Sequence, residues 1–282
     1  LNSKRKVRII MKLDMHCHTK EGSPDGKTPL LENIAALKAK GYNGMLITDH
    51  NSYKAYKYYK RLKNKPKGFT VLCGIEYDTL DAGHILIIMP TGLQPRIFEL
   101  RGLPVIFLIE LVHRMGGILG PAHPCGEKFL SIFNTKIGKR TQEKLMTRFD
   151  FIETYNACED ETANAQAKAL AVKHNLPEMG GSDSHKPDSV GFGYTVLQKN
   201  VANESELIQY IKSGSPVISG GTRYFHTTKQ KLGKANDILV YSFWFYNKFM
   251  ALFRSKPRKR ELTKSILTRQ SRYRRVKYIT LS

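Results

Sequence analysis

Nine histidine and carboxylate side chains recur along this chain at the ends of short apolar runs, and none belongs to a cysteine motif. Asp14-Met15-His16-Cys17-His18-Thr19 comes first. On a strand alternate side chains share a face, so His16 and His18 can meet one centre while Cys17 points away. Asp25 follows in a turn. His50 ends Leu46-Ile47-Thr48-Asp49, and Glu76 ends Val71-Leu72-Cys73-Gly74-Ile75. His84 opens Ile85-Leu86-Ile87-Ile88, and His123 follows Ile118-Leu119-Gly120-Pro121-Ala122. Asp183 and His185 follow Met179-Gly180-Gly181-Ser182. Imidazole and carboxylate without thiolate suit zinc, manganese or iron. Nine donors exceed what one ion takes, so two or three divalent ions sharing a bridging carboxylate are expected. Such clusters stabilise the attacking and leaving oxygens of a phosphoryl displacement and supply hydroxide at neutral pH.

The elements that must position these residues alternate. Strand-like runs cover Val7–Met15, Gly44–Thr48, Phe69–Ile75, Ile85–Met89, Gly117–Leu119, Phe149–Thr154, Pro177–Gly180 and Val217–Ile218. Between them lie helix-like segments at Leu30–Lys40, Tyr53–Lys63, Pro104–Met115, Thr141–Met146, Asn164–His174 and Glu204–Lys212. Gly41, Gly116 and Gly214 stand where left-handed caps would end three of these helices. Strand–helix alternation predicts an α/β fold built on a parallel sheet, closed as a barrel or doubly wound. Functional groups collect at the carboxyl ends of such strands, where most of the nine fall. His84 differs, at the start of a run read as returning antiparallel. His113, His174 and His226 stand outside the pattern and read as ordinary structural histidines.

The chain has 282 residues and a net charge of +22. Residues 221–282 hold 16 Lys/Arg against two Asp/Glu, so the basic excess belongs mainly to the end of the chain. Cys17, Cys73, Cys125 and Cys158 form no CxxC pair, which favours buried thiols in a reduced, cytoplasmic protein over a disulfide or zinc-finger framework. Leu1 to Met11 is short and basic, without the apolar core of a secretory signal, and Met11 reads as an internal start.

The ordered set Asp14-x-His16-x-His18-Thr19, Thr48-Asp49-His50, Gly74-Ile75-Glu76, Ala122-His123-Pro124 and Gly181-Ser182-Asp183-Ser184-His185 resembles the PHP family, the polymerase-and-histidinol-phosphatase phosphoesterases. The resemblance covers about residues 8–218 and implies a distorted (β/α)7 barrel with a trinuclear site at its carboxyl-end face. Residues 1–220 would form that barrel and residues 221–282 a basic, aromatic extension. By resemblance, His16, His18, Glu76 and Asp183 would hold one metal, and Asp25, His50 and His185 a second. Glu76, as a bridge, would hold a third with His84 and His123. Glu21 competes with Asp25, because Lys20-Glu21-Gly22-Ser23-Pro24 separates His18-Thr19 from the aspartate. The short Glu76–His84 spacing resembles the branch with nucleotide phosphatases and 5′–3′ exonucleases.

The expected activity is therefore phosphate-ester hydrolysis by a metal-bridging hydroxide, with His16, His18, Glu76, Asp183 and His185 acting through bound metal. The substrate would be a phosphorylated small molecule or a nucleic-acid end. A sugar or amino-alcohol phosphatase is the alternative within chemistry, and a non-catalytic, metal-stabilised polyanion-binding barrel the alternative outside it. Cys17 and Cys125 fit packing better than nucleophilic attack. Lys20, Lys27, Lys128, Arg140 and Lys186 are candidate phosphate-binding cations, each more readily explained as solvated charge.

Ile238–Phe253 is apolar and aromatic but shorter than a bilayer span, and Arg254-Ser255-Lys256-Pro257-Arg258-Lys259-Arg260 follows it. Three readings stand: a helix packed on the barrel, a segment lying peripherally in a membrane interface, or a nucleic-acid contact.

Overall fold

The computed structural model describes residues 11–126 and 130–227 and, within the aromatic segment, Ile238, Tyr241, Ser242, Phe245, Tyr246 and Phe249. The expected strand residues 7–10, Lys128 and most of the 221–282 extension lie outside the described residues. Nine strands are described: β1 (Met11–Cys17), β2 (Gly44–Ile47), β3 (Thr70–Asp78), β4 (His84–Ile88), β5 (Ile118–Pro121), β6 (Ile152–Asn156), β7 (Glu178–Gly181), β8 (Gly193–Leu197) and β9 (Val217–Gly221). Six α-helices accompany them: α1 (Leu30–Ala39), α2 (Lys54–Arg61), α3 (Val105–Arg114), α4 (Lys136–Met146), α5 (Glu161–His174) and α6 (Glu204–Lys212).

Seven strands form one curled sheet in the order β5-β4-β3-β2-β1-β8-β9, and β6 and β7 form a separate parallel pair. That pair fills the open side, with β7 beside β1, β8 and β9, and β6 beside β5 and β9. The result is an α/β fold of the distorted-barrel type. Strand direction departs from the parallel sheet that alternation predicts. β1–β2 and β2–β3 are parallel, but β1–β8, β3–β4, β4–β5 and β8–β9 are antiparallel. β8 is the strand that periodicity misses: Gly-Tyr-Thr-Val-Leu is short and preceded by Gly191-Phe192, which reads as a loop.

Two apolar layers hold the sheet. On its outer side Leu30, Ile34 and Leu37 of α1 pack at helical spacing with Met45, Ile47, Cys73, Ile75 and the buried face of α3. The inner layer joins Leu13, Met15, Leu46, Leu72, Leu86, Ile88, Ile118, Phe151, Met179 and Leu197 to α6. Glycine caps end α1, α3 and α6 as expected, at Gly41 (φ +74°), Gly116 (φ +80°) and Gly214 (φ +67°). α4 starts five residues earlier than its pattern predicts and bends at Thr141, whose φ of −128° breaks the helix there.

Candidate metal centre

Along the inner face the side chains change character from one end to the other. On β3, Leu72 is apolar, Gly74 is bare, and Glu76 and Asp78 are carboxylates. The antiparallel β4 runs from Ile88 through Leu86 to His84, so an inner position at its start reaches the same end. On β1, Met11, Leu13 and Met15 belong to the inner layer but Cys17 to the outer. The alternation therefore changes phase across the register shift between Asp14 and Cys17, and His16 and His18 fall on the inner side. Asp183 and Ser184 extend β7 beside β1: Asp183 N donates to His16 O (2.7 Å) and His18 N to Ser184 O (3.1 Å).

All nine expected residues converge here. Glu76 is at the middle, fully buried, and its two oxygens face different histidines. Oε2 lies 3.4 Å from His16 Nε2, 3.2 Å from His18 Nε2 and 3.3 Å from His50 Nδ1. Oε1 lies 2.9 Å from His84 Nδ1 and 3.1 Å from His123 Nε2. Asp183 Oδ1 stands 3.4 Å from His16 Nε2 and 3.2 Å from His18 Nε2, and the two histidine nitrogens are 3.3 Å apart. At the rim Asp25 Oδ2 lies 3.4 Å from His50 Nε2 and 3.2 Å from His185 Nε2. Glu21 is elsewhere: its carboxylate accepts the Leu30 N–H at the start of α1, at 3.0 and 3.2 Å.

These distances fit metal. Two donors of a tetrahedral ion, each about 2.0–2.1 Å away, stand about 3.3–3.4 Å from one another. The Glu76, Asp183, His16 and His18 pairs fall at 3.2–3.4 Å. His84 gives a second test: it is buried, and neither ring nitrogen makes a well-formed hydrogen bond although each has a carboxylate oxygen within 3.2 Å. Among the described residues, four groups of donors lie close enough to hold an ion: His18/Asp25/His50/His185, His16/His18/Asp183, Glu76/His84/His123, and His50/Asp78/His84.

Electrostatics follow from crowding. Burial alone would lower the His16 and His50 pKa values, but Glu153, Asp183 and Glu76 around His16, and Glu76, Asp25 and Asp78 around His50, raise both well above the usual range. His123 is likewise raised to about 9, against burial, by Glu76. Glu76 and Asp183 go the other way: burial would raise them, and the surrounding histidines hold both well below the usual range.

Several residues absent from the sequence pattern set this geometry. Glu153 Oε1 accepts a hydrogen bond from His16 Nδ1–H at 2.8 Å, and its Oε2 accepts the His123 backbone N–H at 2.5 Å. Ser23 Oγ meets His18 Nδ1 at 3.0 Å, Ser131 Oγ meets His123 Nδ1 at 3.2 Å, and His185 Nδ1 donates to Asp183 O at 3.0 Å. Each such partner fixes a ring and leaves its other nitrogen aimed inward. Asp78 Oδ1 lies 3.2 Å from both His50 Nδ1 and His84 Nε2, while Asn51 Nδ2 donates to its Oδ2 at 2.6 Å and Arg101 stands 3.6 Å away. One signal was readable: Glu153 and Asp78 are acids within otherwise buried strand runs. Asn51 (φ +47°), His123 (φ +31°) and Asp183 (φ +48°) sit in the left-handed region, a concentration of backbone strain around one site.

Other candidates fall outside. Cys17 is fully buried with its thiol toward Leu46 O, and burial pushes it well up; Cys125 is pushed up to about 12. Neither suits attack as a thiolate. His113 pairs with Asp150 at 2.9 Å and His174 with Glu143 at 3.5 Å, away from the cluster. Lys186 Nζ reaches His226 O at 3.4 Å. Among the described residues, no helix is long and apolar enough to cross a membrane.

Two family models match the sequence: the PHP domain over residues 14–148 and a PHP-associated region over residues 161–216. No curated protein matches it. Among solved structures, PsfC from Pseudomonas syringae PB-5123 is similar at 16% identity with a TM-score of 0.57, over 83% of this chain and 98% of that one. A lesion-specific endonuclease from Pyrococcus furiosus is similar at 19% identity with a TM-score of 0.60, over 79% of this chain and 66% of the endonuclease. A two-domain protein from Bacteroides vulgatus ATCC 8482, described as containing a predicted PHP-like metal-dependent phosphoesterase, is similar at 17% identity with a TM-score of 0.50. This chain covers 75% of its own length in that match and 65% of the other's. At these identities the likeness is one of fold.

Proposed function

The chain belongs to the PHP family of metal-dependent phosphoesterases, and on that premise we propose that it hydrolyses a phosphate ester of a nucleotide or a nucleic-acid end, using the nine residues His16, His18, Asp25, His50, Glu76, His84, His123, Asp183 and His185 as metal ligands. The observation that carries this reading is the Glu76 carboxylate, with Oε2 toward His16, His18 and His50 and Oε1 toward His84 and His123. One carboxylate between two sets of imidazoles is the arrangement that neighbouring ions share. Zinc, manganese or iron held there would supply an activated water and neutralise phosphate charge.

The chain's own contribution is orientation. Glu153 Oε1 holds the His16 proton on Nδ1, which keeps the Nε2 lone pair turned inward. Ser23 and Ser131 constrain His18 and His123 in the same way. Asp25 and His185 are the most exposed members, whereas Glu76, His84 and His16 are buried. A phosphate group therefore approaches from the Asp25–His185 side, and the opposite end of the cluster, at Glu76, His84 and His16, is closed to solvent. Support for a nucleotide or nucleic-acid substrate comes from the short Glu76–His84 spacing. It comes also from the fold shared with an endonuclease solved in complex with a 27-mer duplex carrying an abasic lesion.

The test is a phosphate-release screen over nucleoside mono- and bisphosphates, oligonucleotides and sugar phosphates, with manganese or zinc added, beside metal analysis. Turnover of a nucleotide or oligonucleotide that disappears in His16→Ala is the expected result. Release from sugar phosphates alone would move the substrate class. Less than one ion per chain with no turnover of any ester would replace the enzyme reading with a binding barrel.

A further inference from the structure

Asn156 stands between two carboxylates of the metal centre. It is the last residue of β6, is 1% exposed, and is none of the nine ligand residues. Its Nδ2 donates to Asp183 Oδ2 at 3.1 Å and to Glu153 Oε2 at 3.3 Å. Its Oδ1 accepts the Cys158 backbone N–H at 2.9 Å. That bond fixes which way the amide faces: a backbone N–H only donates, so the oxygen lies toward Cys158 and the two N–H groups toward the carboxylates. Strict strand alternation would send Glu153 and Asn156 to opposite faces. The β6–β7 register slips between Glu153 and Tyr155, and the slip brings the two side chains together. The backbone is clamped as well. Asn156 N donates to Asn164 Oδ1 at 2.9 Å, and Asn164 Nδ2 donates back to Asn156 O at 3.0 Å. Asn164 belongs to α5, so a helix rather than a loop sets the position of the amide.

The consequence lies in what each carboxylate has left to offer. Asp183 Oδ1 faces His16 Nε2 and His18 Nε2, at 3.4 and 3.2 Å, while its Oδ2 is taken by the Asn156 amide. Glu153 Oε1 faces His16 Nδ1, and its Oε2 accepts from the His123 backbone and from Asn156. One neutral amide therefore gives a proton to each of two buried anions that flank the His16 ring. The geometry points to Asn156 as a positioning residue that limits Asp183 to one ligand oxygen, Oδ1, by holding Oδ2 away from the ion that His16 and His18 share. A carboxylate that gives one oxygen rather than two leaves that ion a position for water or a phosphate oxygen. This inference rests on the reading of His16, His18 and Asp183 as metal ligands.

The experiment strips the full chain of metal and titrates it with zinc against a competing chelator, then loads it with cobalt(II) and records the visible spectrum. Asn156→Asp keeps the size of the side chain and replaces the donor by an acceptor; Asn156→Ala removes both. Each should weaken zinc binding about 10- to 100-fold, the aspartate more, because it sets a third carboxylate against two. The cobalt bands of both variants should weaken per bound ion, as Asp183 swings its second oxygen onto the metal and the coordination number rises. A thermal melt of each metal-free variant reports the fold. Zinc affinity and a cobalt spectrum equal to the parent's in Asn156→Asp overturn the proposal. Weaker zinc binding that follows a lower metal-free melt, with the parent's cobalt spectrum on the ions still bound, overturns it in favour of packing. A parent that binds no zinc overturns the metal reading and this inference with it, whereas zinc in the parent and unaltered variants overturn this inference alone.

Discussion

The inner face of the curled sheet has two halves that share strands but not chemistry. Toward one end Leu13, Leu46, Leu72, Leu86, Ile88 and Ile118 pack in one buried apolar cluster. Two to four residues further, the same strands present His16, Glu76 and His84, and the loops after them add His18, His50, His123 and Asp183. The lower half gains stability by leaving water. The upper half loses solvation and recovers it only through pairing, because an unpaired buried ion is costly. Gly120 sits between the halves. A Cβ there would come within 2.3 Å of Phe151 O, so its absence lets β6 close over the boundary. The division separates fold from function: one half can be altered to test stability, the other to test chemistry.

The largest effect should come from Glu76→Ala. Removing the central carboxylate takes away the group shared by five histidines, so metal content should fall by at least one ion and phosphate release by about a thousandfold or more. Leu72→Ala, four residues along β3 toward the apolar half, should instead cost about 2–5 kcal/mol in a denaturant melt. Metal per folded chain should be unchanged. If the two variants fail in the same way, the halves are not separable. The next effect belongs to Glu153→Gln. It keeps size and a hydrogen bond but loses the charge that holds His16 Nδ1 protonated, so metal affinity should weaken about 10- to 100-fold while the melt changes little. Unchanged affinity would mean that the rest of the cluster orients His16 unaided.

Removal of metal sharpens the same contrast through pH. In the metal-free protein His123 titrates near 9 and His16 and His50 well above the usual range. Their folded pKa values are raised, so below about 9 these rings carry protons that a metal must displace. Apparent metal affinity should therefore rise with pH through 7 to 9, and zinc binding should release protons, read as a heat that depends on the ionisation enthalpy of the buffer. Binding without proton release would mean that the histidines are neutral before metal arrives.

Much of this was legible because the metal residues obey strand logic. Histidines two apart on β1, and acids or imidazoles at the ends of apolar runs, announce themselves by type and place. The supporting residues do not. Glu153 lies in Phe151-Ile152-Glu153-Thr154, and only the fold brings it to His16, 137 residues away. Asp78 is hidden the same way, since its partners His50 and His84 meet it only when β3 and β4 pair. Strand direction was also closed to periodicity: alternation gives the same two-residue repeat to parallel and antiparallel neighbours. β8 escaped because five residues behind a glycine-rich approach carry too few positions for a pattern.

The last contrast concerns the pair that sequence left open, Glu21 and Asp25, and its smaller half is the Glu21 variant. Asp25 Oδ2 stands between His50 and His185, and those histidines hold its carboxyl far below the ordinary range, against the burial that would raise it. Glu21 reaches the first N–H of α1 instead, where a carboxylate satisfies an orphan donor and meets the positive end of the helix. The two alanine variants should therefore diverge in kind. Asp25→Ala should lose a rim ion and most phosphate release, with a melt close to the parent's once both are stripped of metal. Glu21→Ala should keep metal and turnover and lose about 1 kcal/mol of stability. A Glu21→Ala protein that melts normally but binds one ion fewer would place Glu21 at the metal and Asp25 outside it. The boundary between the scaffold and the chemistry would then shift by one loop.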